Sequence, residues 1–277
     1  MMVRMSMNNL GVGYGEVKIV EDLNLHIPEG NVTTIIGPNG CGKSTILKAM
    51  SRLIEPKNGV VYLDGKAIHK ESTKEIAKKM AVLPQTPQAP NGLTVYELVS
   101  YGRFPHQRGF GKLTDEDRDI IHWALEVTGV LAFSERQIDA LSGGQRQKVW
   151  IAMALAQETE LLLLDEPTTY LDLAHQLEVL QLLEKLNREE GRTIVMVLHD
   201  LNHAARFADY MVALNNGSII KEGTAHEVMT SSVLKRVFNI DASIVTDPRT
   251  HRPALITYDL MGQEATSQSK KTVSLYG

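Results

Sequence analysis

Apolar and polar positions change period several times along the 277 residues. Val3 to Leu10 and Val17 to Ile27 read as extended, the second run alternating around Glu21 and Asn24, as in strands with one wet face. Val32-Thr33-Thr34-Ile35-Ile36 is short, apolar and β-branched, and predicts a strand. Thr45 to Leu53 then takes helical spacing. Gly59 to Leu63 reads as a strand running into an Asp64-Gly65 turn. Ile76 to Met80 reads as a short helix, and Ala81-Val82-Leu83 as a buried strand that stops at Pro84-Gln85.

The texture changes after Thr86. Pro84, Pro87 and Pro90 punctuate a loop. Thr94-Val95-Tyr96-Glu97 is a capping box that opens a helix through Tyr101. Gly102 to Leu113 reads as a loop. Thr114 to Asp117 caps a second helix with Ile120, Ile121, Trp123, Ala124 and Val127 on its apolar face. Arg146 to Gln157 puts Val149, Ala152, Met153 and Ala156 on one face. No strand is expected between about 86 and 158, so this stretch reads as a helical lobe inserted into an α/β core. Leu161 to Leu164 then forms a fully apolar strand, and Leu173 to Glu190 a long amphipathic helix. Thr193 to Leu198 is another buried strand, Leu201 to Ala208 a helix. Tyr210 to Leu214 and Ser218 to Lys221 form a hairpin across Asn215-Asn216-Gly217. Val233 to Phe238 reads as a short helix, Ala242–Val245 and Ala254–Tyr258 as strands. The expected division is a core of 1–85 and 159–230, a helical subdomain of 86–158, and a C-terminal extension of 231–277. Its polar end, from Gly262, is expected to be loosely held.

The chemistry begins between the third strand and its helix. Gly37-Pro38-Asn39-Gly40-Cys41-Gly42-Lys43-Ser44-Thr45 fits G-x-x-x-x-G-K-[ST] in the strand–loop–helix setting that a phosphate loop requires. Gly37, Gly40 and Gly42 let several N–H groups turn inward at phosphate oxygens. The helix N-terminus adds its positive end. Lys43 reaches the β/γ-phosphates and Ser44 can ligate Mg²⁺.

Four strands end at one carboxyl edge, where open parallel sheets bind ligands: one at the phosphate loop, one at Gln85, one at Asp165-Glu166 and one at His199. Asp165 is placed to hold Mg²⁺ with Ser44. Glu166 points differently and can polarise water. Gln85 can position water or contact Mg²⁺; otherwise it is a turn residue. His199 can reach the γ-phosphate or lie in solvent. Tyr14, between glycines, can stack on a base or simply pack in a turn. Leu141-Ser142-Gly143-Gly144-Gln145 sets a serine and a glycine pair at a helix start, a second anion-binding device. It is either a glycine-rich cap or a loop that covers a phosphate held by another subunit.

Composition narrows the partners. A net charge of −4 argues against nucleic acid, whose binders usually carry a basic excess. A single cysteine allows no intramolecular disulfide. The N-terminus lacks a signal-peptide run, and no stretch approaches 18 apolar residues. The expectation is a soluble protein of a reducing compartment that works at membranes by docking.

Together these residues resemble the nucleotide-binding subunit of ATP-binding cassette (ABC) transporters, over nearly the whole chain. Leu141 to Gln145 matches the family signature, Gly37 to Thr45 its Walker A loop, and Leu161 to Glu166 its Walker B strand and catalytic glutamate. Gln85 matches the Q-loop, Tyr170-Leu171-Asp172 the D-loop, His199 the switch histidine and Tyr14 the adenine-stacking aromatic. The resemblance implies an α/β fold: a P-loop NTPase core with a mixed sheet, an N-terminal antiparallel β subdomain and an inserted α-helical subdomain. It implies an ATPase in which Glu166, His199, Gln85 and Lys43 are catalytic. ATP would be held by Tyr14, by Gly37, Pro38, Asn39, Gly40, Cys41, Gly42, Lys43, Ser44 and Thr45, and by Ser142, Gly143, Gly144 and Gln145; Mg²⁺ by Ser44, Gln85 and Asp165. It also implies a head-to-tail homodimer with two ATPs sandwiched between Walker A of one copy and the signature of the other. The dimer would sit at the cytoplasmic face of the membrane, on a permease docked near residues 86 to 110, served indirectly by a substrate-binding protein. Tyr101-Gly102-Arg103-Phe104-Pro105-His106 and Thr168-Thr169-Tyr170-Leu171-Asp172 look like importers of chelated iron, haem and cobalamin, Gram-positive siderophore uptake above all. Soluble cassette ATPases of DNA repair or chromosome structure are the rival; they split the cassette around coiled coils, and no sustained heptads occur here. Ribosome-acting factors usually carry two cassettes and a basic linker.

Overall fold

β1 (Val3–Tyr14) and β2 (Val17–Pro28) are the first two extended runs, paired antiparallel from Val3↔Pro28 to Tyr14↔Val17. The computed structural model describes residues 2–107 and 112–261, so the loop expected from Gly102 to Leu113 is described only in part. The tail from 262, expected to be loose, lies outside the described residues. β3 (Val32–Ile36) is buried at every position and leads through the glycine loop into α1 (Lys43–Met50). β4 (Asn58–Leu63) and β5 (Lys66–Ala67) pair across Asp64-Gly65. These outer strands form a four-stranded antiparallel sheet in the order β2-β1-β4-β5.

α2 (Thr73–Ala77) starts earlier than the expected Ile76 to Met80 helix. The Ser72 hydroxyl accepts the Glu75 N–H at 3.3 Å and fixes the helix start there. Met80 instead opens β6 (Met80–Leu83), paired with Leu161.

The helical lobe follows. α3 (Val95–Ser100) and α4 (Asp115–Val127) both start with reciprocal capping boxes, Thr94/Glu97 and Thr114/Asp117. On α4 Asp117, Ile121, Ala124 and Leu125 are buried and Trp123 and Val127 pack against the same core, so the expected apolar face holds and widens to Asp117 and Leu125. α5 (Gly143–Ala156) is enclosed almost all round rather than on one face, because α3, α4 and β6 all pack against it. Arg103 is buried beneath the turn after α3. It donates to Asp117 Oδ1 at 2.8 Å, to the Ala156 carbonyl at 2.8 Å and to Glu158 Oε2 at 2.7 Å, tying α4 to the end of α5.

β7 (Leu161–Asp165), α6 (Leu173–Glu190), β8 (Thr193–Val197), α7 (Leu201–Phe207), β9 (Tyr210–Asn215) and β10 (Ser218–Gly223) complete the core. Its six-stranded sheet runs β10-β9-β3-β8-β7-β6, parallel except for β10 at the edge. Both faces are covered, which explains the continuous apolar runs. Leu162 and Leu164 enter one core with the helical lobe; Leu161 and Leu163 enter the other with β1, β2 and α1. α8 (Ala225–Val228) and α9 (Ser231–Phe238) precede a separate two-stranded sheet, β11 (Ile240–Thr246) with β12 (Pro253–Leu260). Among the described residues no helix is long and apolar enough to cross a membrane.

Candidate active site

β3, β8, β7 and β6 lie side by side and parallel, so the residues that follow them share one sheet edge. The glycine loop sits there by steric necessity. A Cβ at Gly37 would stand 2.4 Å from the Leu214 carbonyl oxygen and 2.7 Å from the Cys41 sulfur. Gly42, which starts α1, has a φ of 107° that side chains rarely tolerate. Lys43 is 5% exposed, and its ammonium donates to the carbonyls of Gly37 at 2.8 Å and Pro38 at 3.0 Å. The charge is thus folded back over the loop. Ser44 Oγ donates to Asp165 Oδ1 at 2.9 Å. Asn39, Gly40, Gly42, Lys43, Ser44, Thr45 and Glu166 line a cavity of about 230 Å³ together with Ile19 of β2. This is smaller than the roughly 300–1,000 Å³ of pockets that enclose a small ligand.

Glu166 is the hub of the edge. Gln85 Nε2 donates to its Oε2 at 2.6 Å, Thr169 Oγ1 to the same oxygen at 3.0 Å, and His199 Nε2 lies 2.6 Å from Oε1. Glu166 is also left-handed at φ 54°, and Tyr170 at φ 65°. Each such residue costs about 1–3 kcal/mol and persists only where its surroundings hold it, a pattern common at active sites.

The structure therefore brings Lys43, Ser44, Asp165, Glu166, Gln85 and His199 to one place. Other sequence-selected residues lie elsewhere. Tyr14 is half-exposed at the end of β1 and does not line the cavity. Cys41 is turned under the loop into the core, its backbone N–H donates to the Pro38 carbonyl at 3.3 Å, and burial pushes its thiol above the usual range. It is a packing residue of the loop rather than a side-chain contact for a ligand. Ser142 and Gln145 cap one another, at 3.3 Å and 3.1 Å, at the start of α5 and outside the cavity. Gly143 and Gly144, first in that helix, have no intrahelical acceptor for their N–H groups.

Two residues of the site escaped the sequence reading. Thr169 meets Glu166 only because the chain reverses through left-handed Glu166, a turn that no glycine announces. Ile19 did leave a signal: it interrupts the alternation of β2, being apolar beside Val20, and its methyl would lie 3.3 Å from a Cβ at Gly42.

Asp165 carries an electrostatic cost. Burial pushes its carboxyl above the usual range; the Ser44 hydrogen bond opposes this and the Glu166 charge adds to it. The folded state thus holds this proton more tightly than the unfolded chain does. The penalty is absent below the unfolded pKa and complete above the raised folded one. Asp165→Asn should therefore melt at a higher temperature than the wild type at neutral pH. The gap should shrink as pH falls towards about 4; thermal melts across that range check it.

A family model described as ABC transporter matches residues 20–169, just over half of the chain, from β2 through the glycine loop, the Ser142 helix start and Glu166. The chain belongs to the ABC transporter family. As an ABC cassette it is an ATP-binding, ATP-hydrolysing protein. The iron(3+)-hydroxamate import ATP-binding protein FhuC of Bacillus subtilis (strain 168) is 72% identical to it over 260 residues, covering 94% of this chain and 97% of that one. An inward-facing ABC transporter assigned to the metal-chelate type superposes with a TM-score of 0.80 at 29% identity, over 92% of this chain and 97% of that one. The cassette MJ0796, in a dimeric post-hydrolysis state bound to ADP and Pi, gives a TM-score of 0.69 at 32% identity, covering 79% of this ABC cassette and 98% of its own. The mixed sheet flanked by an antiparallel sheet is the α/β architecture of these cassettes.

Proposed function

We propose that this ABC cassette is the ATPase subunit of an importer of iron–siderophore complexes, coupled to a separate membrane permease at the cytoplasmic face. The observation that carries the reading is the 72% identity, across almost the full length of both chains, to an iron(3+)-hydroxamate import protein. The stacked, exposed rings of Tyr101 and Phe104, 5.0 Å apart, support permease docking within 86–107; the last expected docking positions, 108–110, lie outside the described residues.

ATP would be held between the glycine loop of one copy and Ser142–Gln145 of a second. The small, open cavity beside Lys43 supports half a site, and the Gly143 and Gly144 N–H groups, which have no intrahelical acceptor, support the other half. Binding energy then favours the closed pair over the open one. Lys43 leaves the Gly37 and Pro38 carbonyls for the β/γ-phosphates. Glu166, oriented by Gln85 and Thr169, takes the position of a group that polarises water. His199 passes from Glu166 to the γ-phosphate and registers its loss. Gln85, between core and helical lobe, passes the motion to the permease. Ser44 Oγ and Asp165, with the amide oxygen of Gln85, offer hard oxygen donors that fit Mg²⁺, which keeps waters and phosphate oxygens as its other ligands. Among the described residues no cluster of three or more His, Cys, Asp or Glu is placed to hold a metal by itself. When bound, the ion would neutralise charge developing on the phosphates.

Cells lacking the protein should lose uptake of a radiolabelled ferric hydroxamate under iron limitation and regain it on complementation. The protein drawn from native membranes should bring a polytopic permease with it. Loss of haem or cobalamin uptake instead would replace the cargo, and co-purification with ribosomes or DNA would remove the transport reading.

A further inference from the structure

Asp172 and Gly144 lie in separate motifs, yet one side chain joins them. Asp172 caps α6, and its Oδ1 accepts the backbone N–H of His175 at 2.9 Å. The same oxygen takes the ring Nδ1 of His175 at 2.8 Å, which fixes the ring plane. That ring lies against α5: a Cβ at Gly144 would meet its Cδ2 at 2.7 Å and its Cγ at 3.0 Å. Gly144 is the second residue of α5 and has no unusual φ, so its backbone conformation does not itself demand glycine. A side chain at Gly144 would therefore have to push the imidazole aside. About one turn further along both helices, Lys148 Nζ meets Glu178 Oε2 at 2.6 Å. Going the other way, Asp172 is six residues from Glu166, and Thr169 between them is bonded to that carboxylate. A short path thus runs from Glu166 to Thr169, along the chain to Asp172, and through the imidazole to the start of α5.

We infer that His175 is a positioning residue that sets the distance between the Glu166–Asp172 turn and the start of α5, and so couples the two nucleotide sites of a dimer. The inference rests on the two-copy reading above, in which the turn serves one nucleotide and Gly143 and Gly144 of the same chain serve the other. A ring wedged between them transmits displacement in both directions. His175 itself touches no reacting atom.

His175→Asn separates the two contacts. The asparagine amide nitrogen stands close to where the imidazole Nδ1 was and keeps the bond to Asp172, while the ring edge on Gly144 is lost. Steady-state ATP hydrolysis should show KM raised by about 5-fold or more, the low end of typical coupling energies. The Hill coefficient should fall towards 1, kcat should change less than KM, and the melting temperature should stay put because the side chain is half-exposed. Glu178→Ala breaks the neighbouring tie and leaves the ring in place, Glu178→Gln removes only its charge, and both should preserve KM and the Hill coefficient. Dimer formation by Glu166→Gln in ATP, read by light scattering, is measured in parallel. Failure of that dimer overturns the two-copy reading itself. If it forms, wild-type KM and cooperativity in His175→Asn, or an equal loss in Glu178→Ala, overturns the role given to the imidazole.

Discussion

Glu166→Gln is expected to bind ATP, hydrolyse it at least about 10²-fold more slowly than the wild type, and accumulate as a dimer. The size follows from the role: a positioned group that takes up proton density in the transition state contributes roughly 10²–10⁴-fold. The shape of the side chain is nearly unchanged, so the left-handed turn and the cavity should survive. The donors aimed at it will notice the change. Gln85, Thr169 and His199 all point polar hydrogens or ring nitrogens at the two carboxylate oxygens, and an amide offers only one oxygen to accept them. Some local rearrangement is therefore expected, without unfolding. Because ATP that is not consumed keeps favouring the closed pair, mass should shift to the dimer on adding nucleotide. Phosphate release and size-exclusion with light scattering check both halves. Near wild-type turnover would remove Glu166 from the chemistry.

Lys43→Ala should lose tight nucleotide binding. The ammonium is buried and bound to two carbonyls, so it is already partly desolvated before it exchanges them for phosphate oxygens. Truncating one partner of a buried, hydrogen-bonded charge pair typically costs about 2–5 kcal/mol. That corresponds to at least about 30-fold in Kd, at 1.4 kcal/mol per tenfold. The same change deletes two bonds that close the loop, so a melt in the absence of nucleotide should accompany the calorimetry. A Kd within threefold of the wild type would count against the loop's role.

Much of the architecture could be read from residue pattern because its determinants are local. The Thr94/Glu97 and Thr114/Asp117 boxes announce α3 and α4, and the change from a short β-branched run to helical spacing after Ile36 announces the loop that matters most. The four-leucine run needed only the fact that both faces of its sheet are covered. What stayed hidden depends on contacts between distant parts. Leu125 is buried because α3 and α5 both pack on α4, which the pattern on α4 alone does not fix. Thr169 reaches Glu166 through a strained reversal. His175 is a polar residue on an exposed turn of an amphipathic helix until Gly144 is seen beneath it. Only the edge-forming residues, at the ends of parallel strands, were both local in sequence and convergent in space.

The single thiol of the chain has a practical consequence. Cys41 is 3% exposed, wedged under the backbone of Gly37, and no second cysteine competes for reagent. Modification of the native protein must therefore wait for the phosphate loop to lift from its seat. The rate of labelling becomes an optical clock for that opening, with the free energy of local unfolding encoded in it. A nucleotide seated on the loop would slow the clock in proportion to its occupancy.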